Sequence, residues 1–154
     1  MENLRLAQNL LDEIGRRAGV SLRLSDKGTL ALAYDQDSRF FLQVIDQAIL
    51  FSAPLELSIL PGNEPLLRHI LQLNFLNQQS EGCTLGLDPV KGEVWLSYIL
   101  LLNGLGANEF DNACVNFMAT ADRLRQKVRA ISAESSTPDS TEEGAAALLQ
   151  HLRA

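Results

Sequence analysis

The chain has 154 residues, of which 46% are hydrophobic and 21% charged, the make-up of an ordinary soluble domain with apolar material enough for one core. Its formal net charge is −6 and its pI about 4.8. Such a surface repels phosphate backbones and anionic lipid, which argues against nucleic acid and membrane insertion and favours a basic or polar peptide.

The pattern predicts a first amphipathic helix over about residues 2–18. Leu4, Ala7, Leu11, Ile14 and Ala18 recur at three- and four-residue spacing, and Gly19 follows as a stop. The acids Glu2, Asp12 and Glu13 in this stretch are not those of a secretory signal. Leu22 and Leu24 then alternate with polar residues, and Asp26-Lys27-Gly28 reads as a turn. Leu30, Leu32 and Tyr34 form a strand pattern, closed by a polar turn over 35–38. Phe40 to Ile45 is apolar on both faces, which predicts a central strand or one covered on both sides. Ala48 to Leu60 is a third extended stretch, which Pro54 must bend or confine to an edge.

After Pro61-Gly62, Asn63 is a helix cap, with Glu64 and Pro65 in the first turn. Leu66, Leu67, Ile70, Leu71, Leu73, Phe75 and Leu76 make this helix apolar nearly all round, so it needs cover on two sides, and a subunit interface is the natural second one. Cys83 to Leu87 and Val94 to Leu102 flank a turn at 88–92 and predict a hairpin. Asn108 is the expected cap of a last helix, with Asp111 three residues on. That helix carries Phe110, Cys114, Phe117, Ala121, Leu124, Val128 and Ile131 on one stripe, with acids first and bases last. The two domains of composition are thus a folded body over 1–133 and an acidic Ser/Thr-rich tail over 134–154, expected to be a disordered linker with a short helix at Ala145–Leu152. The order helix, three strands, helix, two strands, helix defines an α+β fold with a mostly antiparallel twisted sheet packed with helices.

Nothing along the chain has catalytic spacing. His69 reads as a helix-surface residue and His151 lies in the tail, neither with a companion at zinc spacing. Asp35-Gln36-Asp37 lacks the later residues of a calcium loop, and Gly104-Leu105-Gly106 lacks a dinucleotide fingerprint. Cys83 and Cys114 have no CxxC pairing and read as reduced core thiols. No cofactor, no metal and no enzymatic activity is expected.

Several stretches together resemble the class I type III secretion chaperones of the Tir-chaperone-like family. They are the leucine-rich Leu66-Leu67-Arg68-His69-Ile70-Leu71-Gln72-Leu73-Asn74, then Gly86-Leu87-Asp88 with Gly92-Glu93-Val94-Trp95-Leu96, and the closing helix Phe110 to Leu124. The resemblance spans about residues 1 to 131 and omits the tail. It implies a homodimer in bacterial cytoplasm that holds an N-proximal segment of secreted effector proteins in extended form and aids delivery to the secretion ATPase. The candidate effector grooves are Leu22, Leu24, Leu30, Leu32, Phe41 and Ile45. The candidate dimer interface is Leu67, Ile70, Leu71, Leu85, Leu87 and Trp95. For each of these residues plain core packing is the competing reading. A regulatory adaptor and a small enzyme are the alternative functions.

Overall fold

The computed structural model describes residues 2–34 and 38–135. The elements, in chain order, are α1 (Glu2–Ala18), β1 (Thr29–Ala33), β2 (Arg39–Ile45), β3 (Ala48–Ser58), α2 (Glu64–Leu73), β4 (Thr84–Leu87), β5 (Glu93–Leu101) and α3 (Ala107–Ser135). The expected order of helices and strands is therefore observed. The strands form one antiparallel sheet in the order β1-β2-β3-β5-β4.

One face of this sheet is covered by the helices. Phe40 and Leu42 of β2, Ile49, Phe51, Ala53 and Leu55 of β3, and Val94 and Leu96 of β5 are buried there. Ala7, Leu10 and Leu11 of α1 and the stripe from Phe110 to Val128 of α3 meet them. Phe51 is the hub, with ring centroids 5.5 Å from Phe117, 6.1 Å from Phe110 and 6.4 Å from Phe40. Aromatic pairs at such separations add to the stabilisation that apolar burial gives the core.

The local chemistry explains the element ends. Val20 N–H donates to Gly15 O at 2.9 Å while Gly19 adopts φ 70°, so α1 ends in a glycine-terminated Schellman turn. Asn63 Oδ1 accepts from Leu66 N–H at 3.3 Å and caps α2. Three expectations are corrected. α2 stops at Leu73; Phe75 and Leu76 lie in a following 3-10 turn, where Leu76 takes φ 53°, because Asn74 is diverted to another contact described below. α3 begins at Ala107, so Asn108 is inside it. The reach-back carboxylate is Glu109, whose Oε2 accepts from Gly106 N–H at 3.1 Å, and not Asp111; Asn108 Oδ1 accepts instead from Arg17 at 2.9 Å. Finally, α3 runs two residues past the expected end of the body, through Ser135. The expected turn at 35–37, the remainder of the tail with its short helix, and His151 lie outside the described residues.

β3 takes the bent of the two courses open to Pro54. It lies between β2 and β5, not at an edge. The β2 ladder ends at Phe41↔Ser52, so no strand bond is asked of the ring nitrogen, and the register with β5 shifts between Pro54 and Ser58. Glu56 occupies this bulge with φ 55°.

Candidate functional site

The sheet leaves one face without helices, and residue parity decides what it presents. Phe41 and Ile45 of β2, Leu50 of β3, and Trp95, Ile99 and Leu101 of β5 point there, opposite the buried set. Phe41 and Trp95 sit together across β3, with ring centroids 5.7 Å apart. One cross-strand row of this face, Ala31, Phe41, Ser52, Ser97 and Thr84 in register, is small at every position but Phe41.

The six candidate groove residues therefore divide. Leu30 and Leu32 pair with the buried Leu42 and Phe40 and belong to the helical face. Leu22 and Leu24 join them, half-buried against the core. Gln8 of α1 fixes this connector as a strand would. Its Nε2 donates to Leu22 O at 2.9 Å, and its Oε1 accepts from Leu24 N–H at 2.9 Å. The result is a half-buried apolar row along α1 and β1. Phe41 and Ile45 lie on the opposite face and are not part of it.

β1 is an edge strand, and the ladder shows which of its backbone groups are unused. Val44 N–H donates to Gly28 O at 2.9 Å and Tyr34 N–H to Ser38 O at 3.1 Å. Bonded and non-bonded pairs alternate in an antiparallel ladder, so the even residues of β1 serve β2 and the odd ones face away. Thr29 is occupied by Ser25, which donates from N–H at 2.8 Å and accepts at Oγ at 3.2 Å. Ala31 and Ala33 meet no strand among the described residues, and their small side chains leave the edge open.

A part-buried polar cluster with the buried Arg125 at its centre anchors the far end of β1. Tyr34 Oη donates to Asp122 at 2.9 Å; Arg125 donates to Asp122 at 2.6 Å and to Pro54 O at 3.0 Å. Its Nε has no hydrogen bond and lies 3.9 Å from Glu56, which also pairs with Arg129. Burial raises the Tyr34 hydroxyl above its ordinary value. Burial alone would lower Arg125, but Tyr34, Glu56 and Asp122 outweigh it and hold the guanidinium charged. The cluster ties β1, the β3 bulge and α3 together, a structural role that the sequence did not announce.

The six candidate interface residues also divide. Ile70 and Leu85 are each 4% exposed, turned inward against the core. Trp95 is on the helix-free sheet face. Leu67, Leu71 and Leu87 are exposed, and Leu60, Phe75, Leu76 and Val90 are exposed with them. α2 thus has cover on one side only, from α3 and β4. Asn74 explains why β4 is not equally open. Its amide donates to Leu85 O at 2.8 Å and accepts from Leu85 N–H at 2.7 Å, closing that edge as a neighbouring strand would.

The described residues hold no group of three or more His, Cys, Asp or Glu that could bind a metal ion, and no helix among them is long and apolar enough to cross a membrane. His69 Nδ1 is 2.8 Å from Pro65 O, a contact along its own helix. Both cysteines are free and buried. Burial, then the charge of Glu81, pushes Cys83 up to about 11; burial, then Asp111, pushes Cys114 up to about 12. Neither is an activated nucleophile.

The frame that carries the candidate residues is one antiparallel sheet with helices packed on one face and its β1 edge open. The chain belongs to the Tir chaperone protein (CesT) family, which matches residues 9–125. Its fold recurs in solved complexes. A chain of the ExsC–ExsE complex aligns with a TM-score of 0.67 at 23% identity, covering 78% of this chain and 91% of that one. A chain of the HopA1–SchA chaperone–effector complex aligns at 0.64 and 23% identity, covering 84% and 97%. One of the heterodimeric ExoU–SpcU complex, from the type III secretion system of Pseudomonas aeruginosa, aligns at 0.59 and 17% identity, covering 77% and 94%. At these identities the likeness shows the fold alone. No curated protein matches the sequence significantly.

Proposed function

We propose that the protein is a type III secretion chaperone. It binds an N-proximal segment of one or more effectors in extended form, keeps that segment soluble and secretion-competent, and aids its delivery to the secretion ATPase. The observation that carries this reading is the open β1 edge at Ala31 and Ala33 beside the half-buried apolar row of Leu22, Leu24, Leu30 and Leu32. An extended client adds a strand to such an edge and lays alternate apolar side chains against that row. Family membership and the solved complexes of the same fold support it. The negative charge of the chain adds attraction for a basic client segment.

The active unit on this reading is a homodimer in the bacterial cytoplasm. The exposed Leu67 and Leu71 of α2, Phe75 and Leu76 of the turn that follows it, and Leu87 are the surface we assign to it; burying it supplies the cover that α2 lacks. Chaperoning of this kind uses binding energy only, and the protein carries out no catalysis.

Co-expression with secreted proteins encoded beside it, followed by size-exclusion chromatography with light scattering, tests the reading. The expected product is two chaperone chains with one client that resists protease only near its N-terminus. A monomer that retains none of these proteins overturns it, and a complex with an intracellular regulator instead would make the protein an adaptor.

A further inference from the structure

β5 is longer than its neighbour on one side. β4 pairs with it only between Val94 and Ser97, whereas β3 accompanies it to Ala48↔Leu101. Two observations fix where the β5 backbone groups point. Leu102 N–H donates to Gln47 O at 2.8 Å, and Pro54, which has no N–H, stands opposite Trp95. With alternation of bonded and non-bonded pairs, the even residues of β5 bond to β3 and the odd ones face away. β4 takes up Trp95 and Ser97 and ends there. Ile99 and Leu101 meet no strand among the described residues.

The surroundings of this free end are shaped and charged in one sense. On the helical side, beyond Tyr98, a cavity of about 340 Å³ lies among Cys83, Ala113, Phe117 and Thr120. Along the edge runs a groove of about 620 Å³ from Tyr98 to Leu105 and Glu109. On the helix-free side Ile45, Ala48, Leu50, Ile99 and Leu101 enclose about 450 Å³, and Ile99 and Leu101 are 65% and 67% exposed. Glu81, Glu109 and Asp46 line these three hollows, and no Lys, Arg or His does. Glu81 is already paired with Arg123 at 3.1 Å, so the carboxylates without an ion pair among the described residues are Asp46 and Glu109, the latter accepting only from Gly106 N–H. Asn74 closes the β4 edge at Leu85 and Ser25 the β1 edge at Thr29, whereas at Ile99 and Leu101, as at Ala31 and Ala33, no such side chain is found among the described residues.

We propose that the β5 edge at Ile99–Leu101 receives a second extended segment of a bound polypeptide as an added strand, one with apolar, β-branched residues at alternate positions and Lys or Arg beside them. The proposal rests on the reading of the protein as a chaperone for extended clients. Residues of the segment opposite Ile99 and Leu101 fall on the helix-free face and cover those two side chains. Residues opposite Tyr98 and Leu100 fall over the Phe117 cavity. The flanking bases meet Glu109 and Asp46.

The test is residue-resolved amide exchange on the full chain. The probe is a synthetic peptide alternating valine and serine between lysine flanks, with a glutamate-flanked version beside it. In the free protein the Ile99 and Leu101 amides exchange fast and those of Leu100 and Leu102 slowly. The lysine-flanked peptide slows Ile99 and Leu101, and Ile99→Pro, which removes an edge N–H that no strand uses, weakens binding at this site about tenfold. Leu101→Lys serves the same purpose should Ile99→Pro fail to fold. Protection of Ala31 and Ala33 without Ile99 and Leu101 overturns the β5 site and leaves the chaperone reading standing. Protection at neither edge overturns both. Protection of Ile99 and Leu101 that appears without peptide and grows with protein concentration assigns the edge to a second copy, which also overturns the proposal, and equal binding of the glutamate-flanked peptide overturns its charge requirement.

Discussion

Replacing Asn74 by alanine tests how the sheet is closed at β4. The side chain makes two hydrogen bonds to one residue, 2.8 Å to Leu85 O and 2.7 Å from Leu85 N–H. A hydrogen bond contributes about 0.5–1.5 kcal/mol net, but a buried partner left bare costs about 1–3 kcal/mol. Leu85 is 4% exposed, so its two backbone groups do not simply turn to water, and the expected loss in Asn74→Ala is about 2–4 kcal/mol. With a urea slope of about 1–3 kcal/mol/M, the midpoint followed by Trp95 fluorescence falls by roughly 1–2 M. The measurement is made at one protein concentration, since association shifts apparent stability. Asn112→Ala, an exposed change on α3, is the control and moves the midpoint little. A second readout follows from geometry: with Leu85 unclosed, β4 becomes a free edge and self-association rises. An Asn74→Ala midpoint equal to the control, with no added association, would refute the view that this amide stands in for a strand.

Other substitutions separate surfaces from core. Leu71 is 62% exposed and Ile70 is 4% exposed on the same helix; Leu71→Asp is expected to yield a folded monomer by light scattering, whereas Ile70→Asp buries an unpaired charge and unfolds the chain, seen by far-UV circular dichroism. Arg125→Ala removes the guanidinium between Asp122, Glu56 and Pro54 O and is expected to lower stability by about 3 kcal/mol, while the exposed Arg129→Ala costs less than about 1 kcal/mol, both by urea unfolding. The Cys114 thiol is held up to about 12 by burial, so above the pKa of an unfolded thiol only the unfolded chain ionises. Its contribution to stability is complete below about pH 8.5 and is lost as pH rises from there toward 12. Cys114→Ala is expected to flatten the fall in urea midpoint between pH 8 and pH 10, and an unchanged fall would show that other groups cause it.

Much of the architecture was legible because period and punctuation agree. The stripe from Phe110 to Val128 has helical spacing and is buried over its whole length, and Gly19, Asn63 and Pro61-Gly62 stop or start elements where their backbone preferences require. Errors arose where one polar side chain has two uses. Asn108 looks like a helix cap but turns to Arg17, and Asn74, inside the expected helix, ends α2 with its side chain turned to a strand; only the packed structure decides such competition. The same limit applies to the site. Alternation in Phe40–Ile45 shows that both faces are apolar, yet it assigns neither face to the helices. Phe41 and Ile45 consequently grouped with Leu30 and Leu32 in sequence and separate in space. The free backbone groups of Ala31 and Ala33 carry no sequence signal, because any residue has them and only the neighbours' absence makes them available. Arg125 and Glu56 are far apart in the chain, and nothing in either local pattern predicts that a bulge at Glu56 brings them together.

The arrangement of closed and open edges bears directly on the proposed function. An edge strand invites indiscriminate pairing, and proteins usually blunt it. Here the blunting is selective: the amide of Asn74 covers Leu85 and Ser25 covers Thr29. Two short positions without a partner strand among the described residues are Ala31 with Ala33 and Ile99 with Leu101, on strands separated by β2 and β3. Short edges are poor templates for unlimited stacking, because each offers only two residues' worth of outward backbone groups, and a partner gains little without side chains that also fit the adjoining hollows. Neighbouring strands lie about 4.8 Å apart, so strands added outside β1 and outside the free end of β5 lie on the order of 24 Å from each other across the sheet, about seven extended residues. One continuous client would need only a short connecting run to engage both. Linking two weak sites in this way raises the effective concentration of the second once the first is bound. Such a client is held firmly as a whole while each strand stays weak, and it can be released by freeing one edge at a time. A client carrying only one of the two segments is then expected to dissociate much faster than one carrying both, as stopped-flow release would measure. Equal dissociation rates would mean that the two edges do not act on a single chain.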